Sequence, residues 1–375
     1  MDEQIAPLPF PTPPVSLVRA LERIRHYLYR LHQKLVPAPQ AMSELIVGHM
    51  VSQAIAVAAE LRLADALANG PLPRDELARR VGANPAALAR LLRALIGRGI
   101  FRELRDGRYA LTPLAATLRS DAPLSVAGLA RFYGSEKYRE LWSLLIDAVR
   151  TGQSVVPSML GTDGFSYLAE DPDLASLFNN AHTAIAGIAA ASVVDAYDFG
   201  RFPVIVDVGG GHGRLLAAIL AATPSARGVV YDLPDVVTGA PVVLDRAGVS
   251  SRARVEGGSF FDSVPTGGDA YVLQLVIHDW GDEAAQTILR NVAAAAHDQA
   301  TLLLVEMVIP RHHREFTGNW VDLELLLLTE GHERTAAQHR ELLRRSGFHL
   351  TRIVQTVSPV CVIEASRIER DALQS

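Results

Sequence analysis

The sequence predicts an α/β chain in which a mainly helical N-terminal region precedes a mostly parallel sheet with helices on both faces. Three observations support this fold class. From about residue 200 onward, short apolar strand patterns alternate with helical patterns, as in parallel sheets. The run VIVDVGGGHG (204–213) has the pattern of a buried strand that enters a helix through a glycine-dense turn. The length of 375 residues, 49% of them apolar, is enough to fill two hydrophobic cores.

Changes of pattern divide the chain into an extension (1–40), a first domain (41–120), a helical region (121–195) and a sheet domain (196–375). In the last of these, strands are expected near 204–208, 228–231, 253–256, 270–275 and 301–306, with a final pair near 348–355 and 360–365. The fourth apolar run continues to Ile277, and the fifth ends at Glu306. Because open α/β sheets bind ligands at the carboxyl ends of their strands, the functional residues are sought there.

The extension begins with five prolines in residues 1–14, so we expect irregular structure there. A helix follows whose apolar residues recur at steps of four and three, namely Leu17, Leu21, Ile24, Leu28, Leu31 and Leu35. This helix either packs on its own domain or reaches a second subunit as an arm. The Pro37-Ala38-Pro39 break that follows favours the arm.

Residues 41–120 have the pattern of a winged-helix module. A long apolar helix (46–67) precedes a short helix (74–81) and a third helix that starts at Asn84-Pro85. A β-hairpin with an Asp-Gly turn then runs from Phe101 to Leu111. Arginines on the third helix would suit DNA binding, but the apolar surface of the long helix favours a dimerisation platform that a partner chain covers.

The composition argues against several classes of protein. A net charge of −5 is unsuited to neutralising nucleic-acid phosphates. Cys361, the single cysteine, lies in an apolar run and is assigned to the core. We find neither a signal peptide nor a run of 18 apolar residues, so we expect a cytoplasmic protein without a membrane or nucleic-acid partner.

The glycine-dense turn after the first strand predicts a site where backbone approaches a ligand closely, because a Cβ atom would block that approach. Asp232 follows the second strand, 21 residues after Gly211, where an acidic side chain meets ribose hydroxyls. The spacing G-G-G-x-G differs from the dinucleotide pattern G-x-G-x-x-G. A nucleoside cofactor without a pyrophosphate is therefore favoured over a nicotinamide dinucleotide.

Three residues at strand ends and in a later loop suggest acid–base chemistry. His278 follows the fourth strand, and an imidazole with a pKa of about 6.5 would be mostly neutral at physiological pH and able to act as a base. Glu306 and Glu333 would flank it, orient it and make it more basic. The alternative is a helix-capping cluster with a surface glutamate.

Several motifs together resemble the S-adenosylmethionine-dependent small-molecule O-methyltransferases. These are the caffeate and flavonoid methyltransferase type and the bacterial relatives that modify phenazines and polyketide antibiotics. The motifs span about residues 42–366 and are VDVGGGHG, YDLP, GGSFF, LVIHDWGDE, LLLVEMVIP and GHERTAAQHRELLRRSGF. The resemblance implies a winged-helix dimerisation domain followed by a Rossmann-like methyltransferase domain with an antiparallel C-terminal strand, assembled as a homodimer.

The resemblance also assigns roles to residues of this chain. His278 matches the catalytic base, with Glu306 and Glu333 as its carboxylate partners, and no metal is implied or suggested by a ligand set. S-adenosylmethionine, with S-adenosylhomocysteine as its product, would be held by Asp207, Gly209, Gly211, Gly213, Asp232, Leu233, Ser259, Phe260, Gln274 and Trp280.

Some positions depart from the commoner family pattern. Ser259 stands where an aspartate often contacts adenine and Gln274 where a lysine does, so we expect weaker cofactor affinity. His182 and Glu324 predict a more polar acceptor pocket than a flat phenylpropanoid would suit. The candidate acceptor-binding residues are Phe132, Phe178, Asn179, His182, Asp279, Asn319 and Glu324.

The expected reaction is methyl transfer to a hydroxyl, of phenolic type, on a small aromatic or polyketide metabolite. Two other functions stay open at this point. One is a relative that binds the same cofactor but catalyses hydroxylation or decarboxylation, which the presence of His278 disfavours. The other is a ligand-sensing DNA-binding protein that uses the winged helix.

Overall fold

A computed structural model of the chain describes residues 13–312 and 314–368, except for some side chains between residues 165 and 188. The chain forms two compact units that alternate along the sequence. The sheet unit comprises the described residues up to His26, Asp147–Asp163 and Ala186 onward. The helical unit comprises Tyr27–Ile146 and Gly164–Ile185.

The regular elements have the following bounds. The helices are α1 (Val15–Lys34), α2 (Ala38–Ile46), α3 (Gly48–Glu60), α4 (Leu63–Ala66), α5 (Arg74–Arg80), α6 (Pro85–Ile96), α7 (Pro113–Ala116), α8 (Ala127–Gly134), α9 (Glu136–Ser143), α10 (Leu145–Thr151), α11 (Gly164–Ala169), α12 (Pro172–Ala196), α13 (Arg214–Ala222), α14 (Ala240–Arg246), α15 (Asp282–Ala295), α16 (Gly318–Leu328) and α17 (Ala336–Arg345). The strands are β1 (Leu72–Pro73), β2 (Phe101–Glu103), β3 (Arg108–Leu111), β4 (Val204–Val208), β5 (Arg227–Asp232), β6 (Ala253–Gly257), β7 (Ala270–Gln274), β8 (Thr301–Ile309), β9 (Arg334–Thr335), β10 (Phe348–Gln355) and β11 (Val360–Arg367).

The sheet unit is built on a sheet with strand order β10-β11-β8-β7-β4-β5-β6, and β9 pairs with the end of β8. Strands β4 to β8 run parallel, whereas β11 is antiparallel to both β8 and β10. Neighbouring residues of a strand pack on opposite faces, so Ile205 belongs to one apolar core and Val206 to the other. The expected mostly parallel sheet with an antiparallel C-terminal strand is confirmed, and the carboxyl ends of the parallel strands meet at one edge.

The helical unit contains the three-stranded sheet β1-β3-β2 beside α5 and α6. Asn84 caps α6, since its Oδ1 accepts the backbone N–H groups of Ala86 and Ala87 at 3.0 Å each. Gly107 has a φ of 80° in the turn between β2 and β3, a conformation that glycine adopts without strain. The predicted cap and hairpin are confirmed.

The long apolar helix expected over residues 46–67 is wrong in its continuity. It ends at Glu60, and Arg62 adopts a left-handed φ of 52° before α4 begins. Helices α2 and α3 together give a 23-residue stretch, Ala38–Glu60, with a mean hydropathy of 1.3 and 11% of its apolar window buried. By length and composition this stretch is sufficient to cross a membrane, contrary to our expectation, although a partner chain can equally cover such a surface.

Helix α1 exposes the apolar stripe that the sequence predicts. Its stripe residues are 42–55% exposed, namely Leu17, Leu21, Ile24, Leu28 and Leu31, and Leu35, directly after the helix, is 73% exposed. Exposed apolar residues continue into α2 and α3, where Ile46 and Met50 are 62% and 58% exposed. The exposed stripe is what an arm that contacts a second subunit would present.

Two strand ends differ from the sequence prediction. Strand β7 stops at Gln274, because Leu275 turns the chain with a φ of 51° and a short 3₁₀ turn follows at Ile277–Asp279. Strand β8 continues beyond Glu306 to Ile309, so that Glu306 lies inside the strand and is fully buried. Both differences change where His278 and Glu306 lie relative to the ends of their strands.

Candidate active site

The turn between β4 and α13 is shaped by glycines. Gly209, Gly211 and Gly213 have φ values of 69°, 56° and 74°. A Cβ on Gly209 would lie 2.7 Å from Cγ2 of Val276, and one on Gly213 would lie 2.7 Å from Cγ2 of Val230. Side chains are therefore excluded at two of these positions by both backbone angle and space. The turn forms the tight backbone cradle that the sequence predicts.

Asp232 lies at the end of β5 beside this cradle. Its Oδ2 accepts the N–H of Gly211 at 2.8 Å and its Oδ1 accepts the N–H of Leu233 at 2.7 Å. Burial raises the pKa of this carboxyl above its usual value, although the two amides act against the rise. The Leu233 side chain is 52% exposed. The carboxylate is thus held in position by backbone amides at the edge where a ribose would lie.

Asp207 has a different environment from Asp232. It is 1% exposed within β4, and burial raises its pKa to about 7, with the Leu216 amide acting against the rise. A Cβ on Gly210 would lie 2.8 Å from the Asp207 carboxyl carbon. The Asp207 carboxyl group therefore leaves no room for a side chain at Gly210.

Three aromatic side chains pack together beside the cradle. Trp280 packs edge-on against Phe261 at 4.7 Å and against Phe260 at 6.1 Å between ring centroids. Ser259 Oγ accepts the N–H of Phe261 at 3.2 Å, so this side chain supports its own turn. Nε2 of Gln274 is buried without a hydrogen-bond partner among the described residues. An unpaired buried donor beside a glycine cradle fits a polar ligand atom, so the residues present suit a nucleoside cofactor.

His278 lies within a group of three carboxylates. Its Nδ1 is 2.9 Å from Oε1 of Glu333 and 3.9 Å from Oε2 of Glu306, and its Nε2 is 3.6 Å from Oδ1 of Asp279. The imidazole is 11% exposed, whereas the Glu306 and Glu333 side chains are 0% and 1% exposed. Glu333 is therefore the direct partner of the imidazole, and the three residues expected together do meet.

Glu306 also holds the loop that carries His278. Its Oε1 accepts the backbone N–H of Ile277 at 2.9 Å, while its Oε2 has no hydrogen-bond partner among the described residues. Its burial inside β8 would be costly without these neighbours. Glu306 thus combines a backbone contact with a negative charge close to the imidazole.

The ionisation of His278 differs from the sequence expectation of a mostly neutral ring. Burial opposes its protonation, but Asp279, Glu306 and Glu333 outweigh burial and raise the pKa of His278 to about 10. For a carboxyl group burial favours the neutral form, and it raises the pKa of Asp279 to about 6 and that of Glu306 to about 7. These neighbouring carboxylates therefore favour the protonated form of the imidazole. The expectation that the carboxylates make it more basic agrees with this direction.

The same three residues also have the spacing of a metal site. Ligand atoms of His278, Glu306 and Glu333 all lie within 4.8 Å of one another. The sequence suggested no such set, because the strand and loop that supply the ligands are far apart along the chain. In this geometry Nδ1 already pairs with Glu333, and one Glu306 oxygen already accepts a backbone amide.

Four of the expected acceptor-binding residues belong to the helical unit. Phe132 on α8 is 1% exposed, and its ring centroid lies 5.5 Å from that of Phe178 on α12 in an edge-on contact. Phe132 is therefore a core residue of this unit. The side chains of Asn179 and His182 lie outside the described residues.

The other expected acceptor-binding residues belong to the sheet unit. Asp279 lies beside His278, as given above. Asn319 and Glu324 lie on α16, where Asn319 is exposed and Glu324 half-buried. Of these three residues, only Asp279 belongs to the carboxylate group around the imidazole.

Sequence reasoning missed two residues that hold the site in place. Asn291 on α15 donates from Nδ2 to the backbone oxygens of Phe260 and Phe261, at 2.9 and 2.8 Å. Asp322 on α16 accepts the N–H of Glu333 at 2.8 Å. Asparagine and aspartate are unfavourable inside helices, and their presence there was the available signal.

Comparisons with known proteins agree with this arrangement. The family model of the O-methyltransferase domain matches residues 142–349, and that of the O-methyltransferase dimerisation domain matches residues 43–121. The phenazine O-methyltransferase PhzM of Lysobacter antibioticus is 41% identical over 333 residues, which cover 89% of this chain and 97% of the relative. The 8-amino-8-demethylriboflavin N,N-dimethyltransferase of Streptomyces davaonensis is 34% identical over 87% of this chain and 95% of the relative.

A solved structure extends the comparison to ligands. The O-methyltransferase NcsB1 from neocarzinostatin biosynthesis, in complex with S-adenosylmethionine and 2-hydroxy-5-methyl naphthoic acid, superposes with a TM-score of 0.72. It is 33% identical, and the match covers 85% of this chain and 96% of that one.

The fold and the site define a class I methyltransferase, and the chain belongs to the O-methyltransferase family with its dimerisation domain. It is an S-adenosylmethionine-dependent O-methyltransferase of small-molecule metabolites, and this family needs no metal.

Proposed function

We propose that this enzyme transfers a methyl group to a phenolic hydroxyl of a small aromatic metabolite, with His278 as the general base. The carrying observation is the pairing of Nδ1 with Glu333, which leaves Nε2 as the nitrogen able to take a proton from an acceptor. The nearest carboxylate oxygen to Nε2, Oδ1 of Asp279, is 3.6 Å away, longer than a hydrogen bond.

The cofactor residues follow from the cradle. Gly209, Gly211 and Gly213 would admit the methionine end of S-adenosylmethionine, Asp232 would bind its ribose, and Phe260 would lie against its adenine. When bound, S-adenosylmethionine supplies an electrophilic methyl group, so the remaining task of the protein is to align the acceptor oxygen and remove its proton.

The raised pKa of His278 suits a phenolic acceptor. A phenol has a pKa of about 10 and an ordinary imidazole about 6.5, a mismatch that makes proton transfer unfavourable. The carboxylates raise the pKa of His278 to about 10 and so remove most of that mismatch. The cost is that the free base is a minor form at neutral pH. A phenolate beside the imidazolium has the same total number of protons as a phenol beside the neutral imidazole. Methyl transfer can therefore start from either pair.

An amine acceptor is the second candidate, supported by the likeness to an N,N-dimethyltransferase. A neutral amine is already nucleophilic and does not need a base before methyl transfer. Loss of activity in a His278 variant would therefore favour a hydroxyl acceptor over an amine.

Calorimetric titration with S-adenosylmethionine and S-adenosylhomocysteine tests the cofactor residues first. We expect both to bind, and we expect Asp232→Ala to weaken binding by about 10- to 100-fold through loss of a charged hydrogen-bonding group. Asp235→Ala, on the exposed turn after β5, is the matched control and should bind as the unaltered chain does. Equal binding by both variants would remove Asp232 from the proposal.

A panel of acceptors then tests the reaction. Hydroxylated aromatics with and without a carboxylate, and aromatic amines, are incubated with the enzyme with and without EDTA, and products are identified by mass. Methylation of hydroxyl oxygen, unaffected by EDTA, is expected, with polar acceptors preferred. Methylation of amines alone would replace the hydroxyl proposal, and a preference for plain hydrophobic phenols would contradict the polar pocket.

We further propose a homodimer in which α1 is an arm that contacts the second subunit. The dimerisation-domain match and the exposed apolar residues of α1, α2 and α3 support this assembly. Met50→Asp places a charge on that surface and should shift the mass measured by light scattering toward the monomer. An unchanged dimer would contradict the surface, and specific, salt-sensitive DNA binding would support the sensor alternative instead.

A further inference from the structure

We propose that Arg334 is a positioning residue that fixes the backbone on both sides of His278, an inference that rests on the function proposed above. Arg334 stands next to Glu333 in the chain, yet its own contacts are with the loop and not with the imidazole. Its role is to keep His278 where Glu333 and an acceptor can both reach it.

The Arg334 guanidinium is 1% exposed, and its four hydrogen bonds go to the loop that carries His278 and to the helix start that follows it. Nη1 donates to the carbonyl oxygen of Ile277 at 3.0 Å, and Nη2 donates to that of Trp280 at 2.9 Å. Nε and Nη2 also donate to Oδ1 of Asp282, at 3.1 and 2.8 Å. The planar fork thus joins the residue before His278 to the second residue after it.

This loop needs such a restraint because its backbone leaves regular structure abruptly. Leu275 has a φ of 51°, an unfavourable conformation for a residue with a branched side chain. Ile277 is then held from two sides, since Glu306 accepts its N–H and Arg334 donates to its carbonyl oxygen. The peptide group before His278 and the carbonyl group of Trp280 beyond it are therefore both held, which restricts the backbone from which the imidazole projects.

The segment that carries Arg334 also carries the partner of the imidazole. Glu333 binds Nδ1 of His278 directly, and a Cβ on Gly331 would lie 1.9 Å from the His278 carbonyl oxygen. Loop backbone and imidazole are thus attached to one short stretch of chain and keep their spacing together. Lysine cannot replace the arginine, because a single ammonium lacks the fork that reaches two carbonyl groups and a carboxylate at once.

If Arg334 had only a structural role, its substitution would lower the stability of the protein without a specific effect on His278. The sheet unit offers a matched control in Arg252, whose guanidinium donates to the carbonyl oxygens of Leu220, Thr223 and Ala226 at 2.7–3.0 Å. Arg252→Met removes a comparable set of backbone contacts, none of which is to the loop that carries His278. Asp282→Asn is a second control, because it weakens the ion pair between Arg334 and the 58% exposed Asp282 side chain and leaves the two carbonyl contacts intact.

The experiment compares Arg334→Met, Arg334→Lys and the two controls in the full-length enzyme. For both Arg334 variants we expect kcat to fall about 10- to 100-fold through misplacement of the base, with KM and S-adenosylmethionine affinity nearly unchanged. In the His278→Ala background, Arg334→Met should cause no further loss, because it acts through His278. The controls should keep kcat within about threefold.

A spectroscopic measurement covers the case in which no acceptor is methylated. The downfield proton signal of the His278 Nδ1–H bonded to Glu333 should be lost or broadened in Arg334→Met and kept in Arg252→Met. Cofactor binding by each variant shows that it is folded. An unchanged signal in Arg334→Met, an additive loss of kcat in the double variant, or an equal loss in Arg252→Met would each overturn the proposal. Inactivity of the unaltered enzyme on every acceptor would count against the proposed function alone.

Discussion

The cofactor cradle and the base site lie at the same sheet edge but are built from different materials. The cradle consists of backbone, with three glycines at positive φ and one carboxylate held by two amides. The base site consists of charged side chains, with His278 among Asp279, Glu306 and Glu333. In the proposed mechanism, cofactor binding thus rests on shape, whereas proton transfer rests on buried charge. Substitutions in the two regions should therefore change different kinetic constants.

The substitution with the largest expected effect changes the base site and leaves the cradle unaltered. His278→Ala should lower turnover by about 10²- to 10⁴-fold, because it removes the general base, while S-adenosylmethionine binding stays unchanged. Turnover and calorimetry on the same preparation measure both quantities. His297→Ala, a half-exposed histidine paired with Asp269, is the control and should behave as the unaltered enzyme. Unchanged turnover in His278→Ala would remove this residue from the mechanism.

A pH profile sharpens the comparison through charge alone. Because the neutral imidazole is the base and the pKa of His278 is about 10, kcat/KM should rise about tenfold per pH unit from neutral pH and level off near that value. Glu333→Gln removes a negative charge that favours the imidazolium, so the midpoint should move about one to two units lower.

The acceptor is a necessary control for that profile, since a phenol of similar pKa gives the same curve. Acidic phenols, ionised throughout the range, should not follow the rise. A midpoint that moves with the acceptor and ignores Glu333→Gln would assign the titration to the substrate.

The smallest expected effect concerns the cradle. Gln274→Met removes the buried, unpaired Nε2 donor while keeping a side chain of similar length. If Nε2 binds the cofactor, the dissociation constant of S-adenosylmethionine should rise about two- to tenfold, the value of one neutral hydrogen bond, with kcat unchanged. A dissociation constant that is unchanged or lower would show that Gln274 faces the cradle without contributing to it.

Sequence reasoning succeeded where a local pattern determines the structure. The glycine turn, the Asn84 cap and the approximate positions of the strands along the chain follow from short-range rules on backbone angle, capping and hydrophobic alternation. It failed where the outcome depends on contacts between distant segments. The end of β7 at Gln274 and the extension of β8 past Glu306 depend on pairing with neighbouring strands.

The ionisation of His278 is the clearest case of this limit. Its type and position suggested a neutral base, but its pKa is raised by the adjacent Asp279 and also by Glu306 and Glu333, which arrive from 28 and 55 residues further along the chain. Burial of those carboxylates is a property of the folded sheet and has no signature in either motif alone. The contacts of Arg334 belong to the same class, because its partners lie 52 to 57 residues earlier.

The alternation of the two units along the chain has a consequence for engineering. The backbone passes from one unit to the other after residues 26, 146, 163 and 185. No single cut therefore separates the cofactor-binding unit from the helical unit, and a fragment beginning at any one junction lacks part of a core. A chimera that exchanges the helical unit with that of a relative needs compatible junctions at all four places, whereas recombination at one point would join incompatible halves.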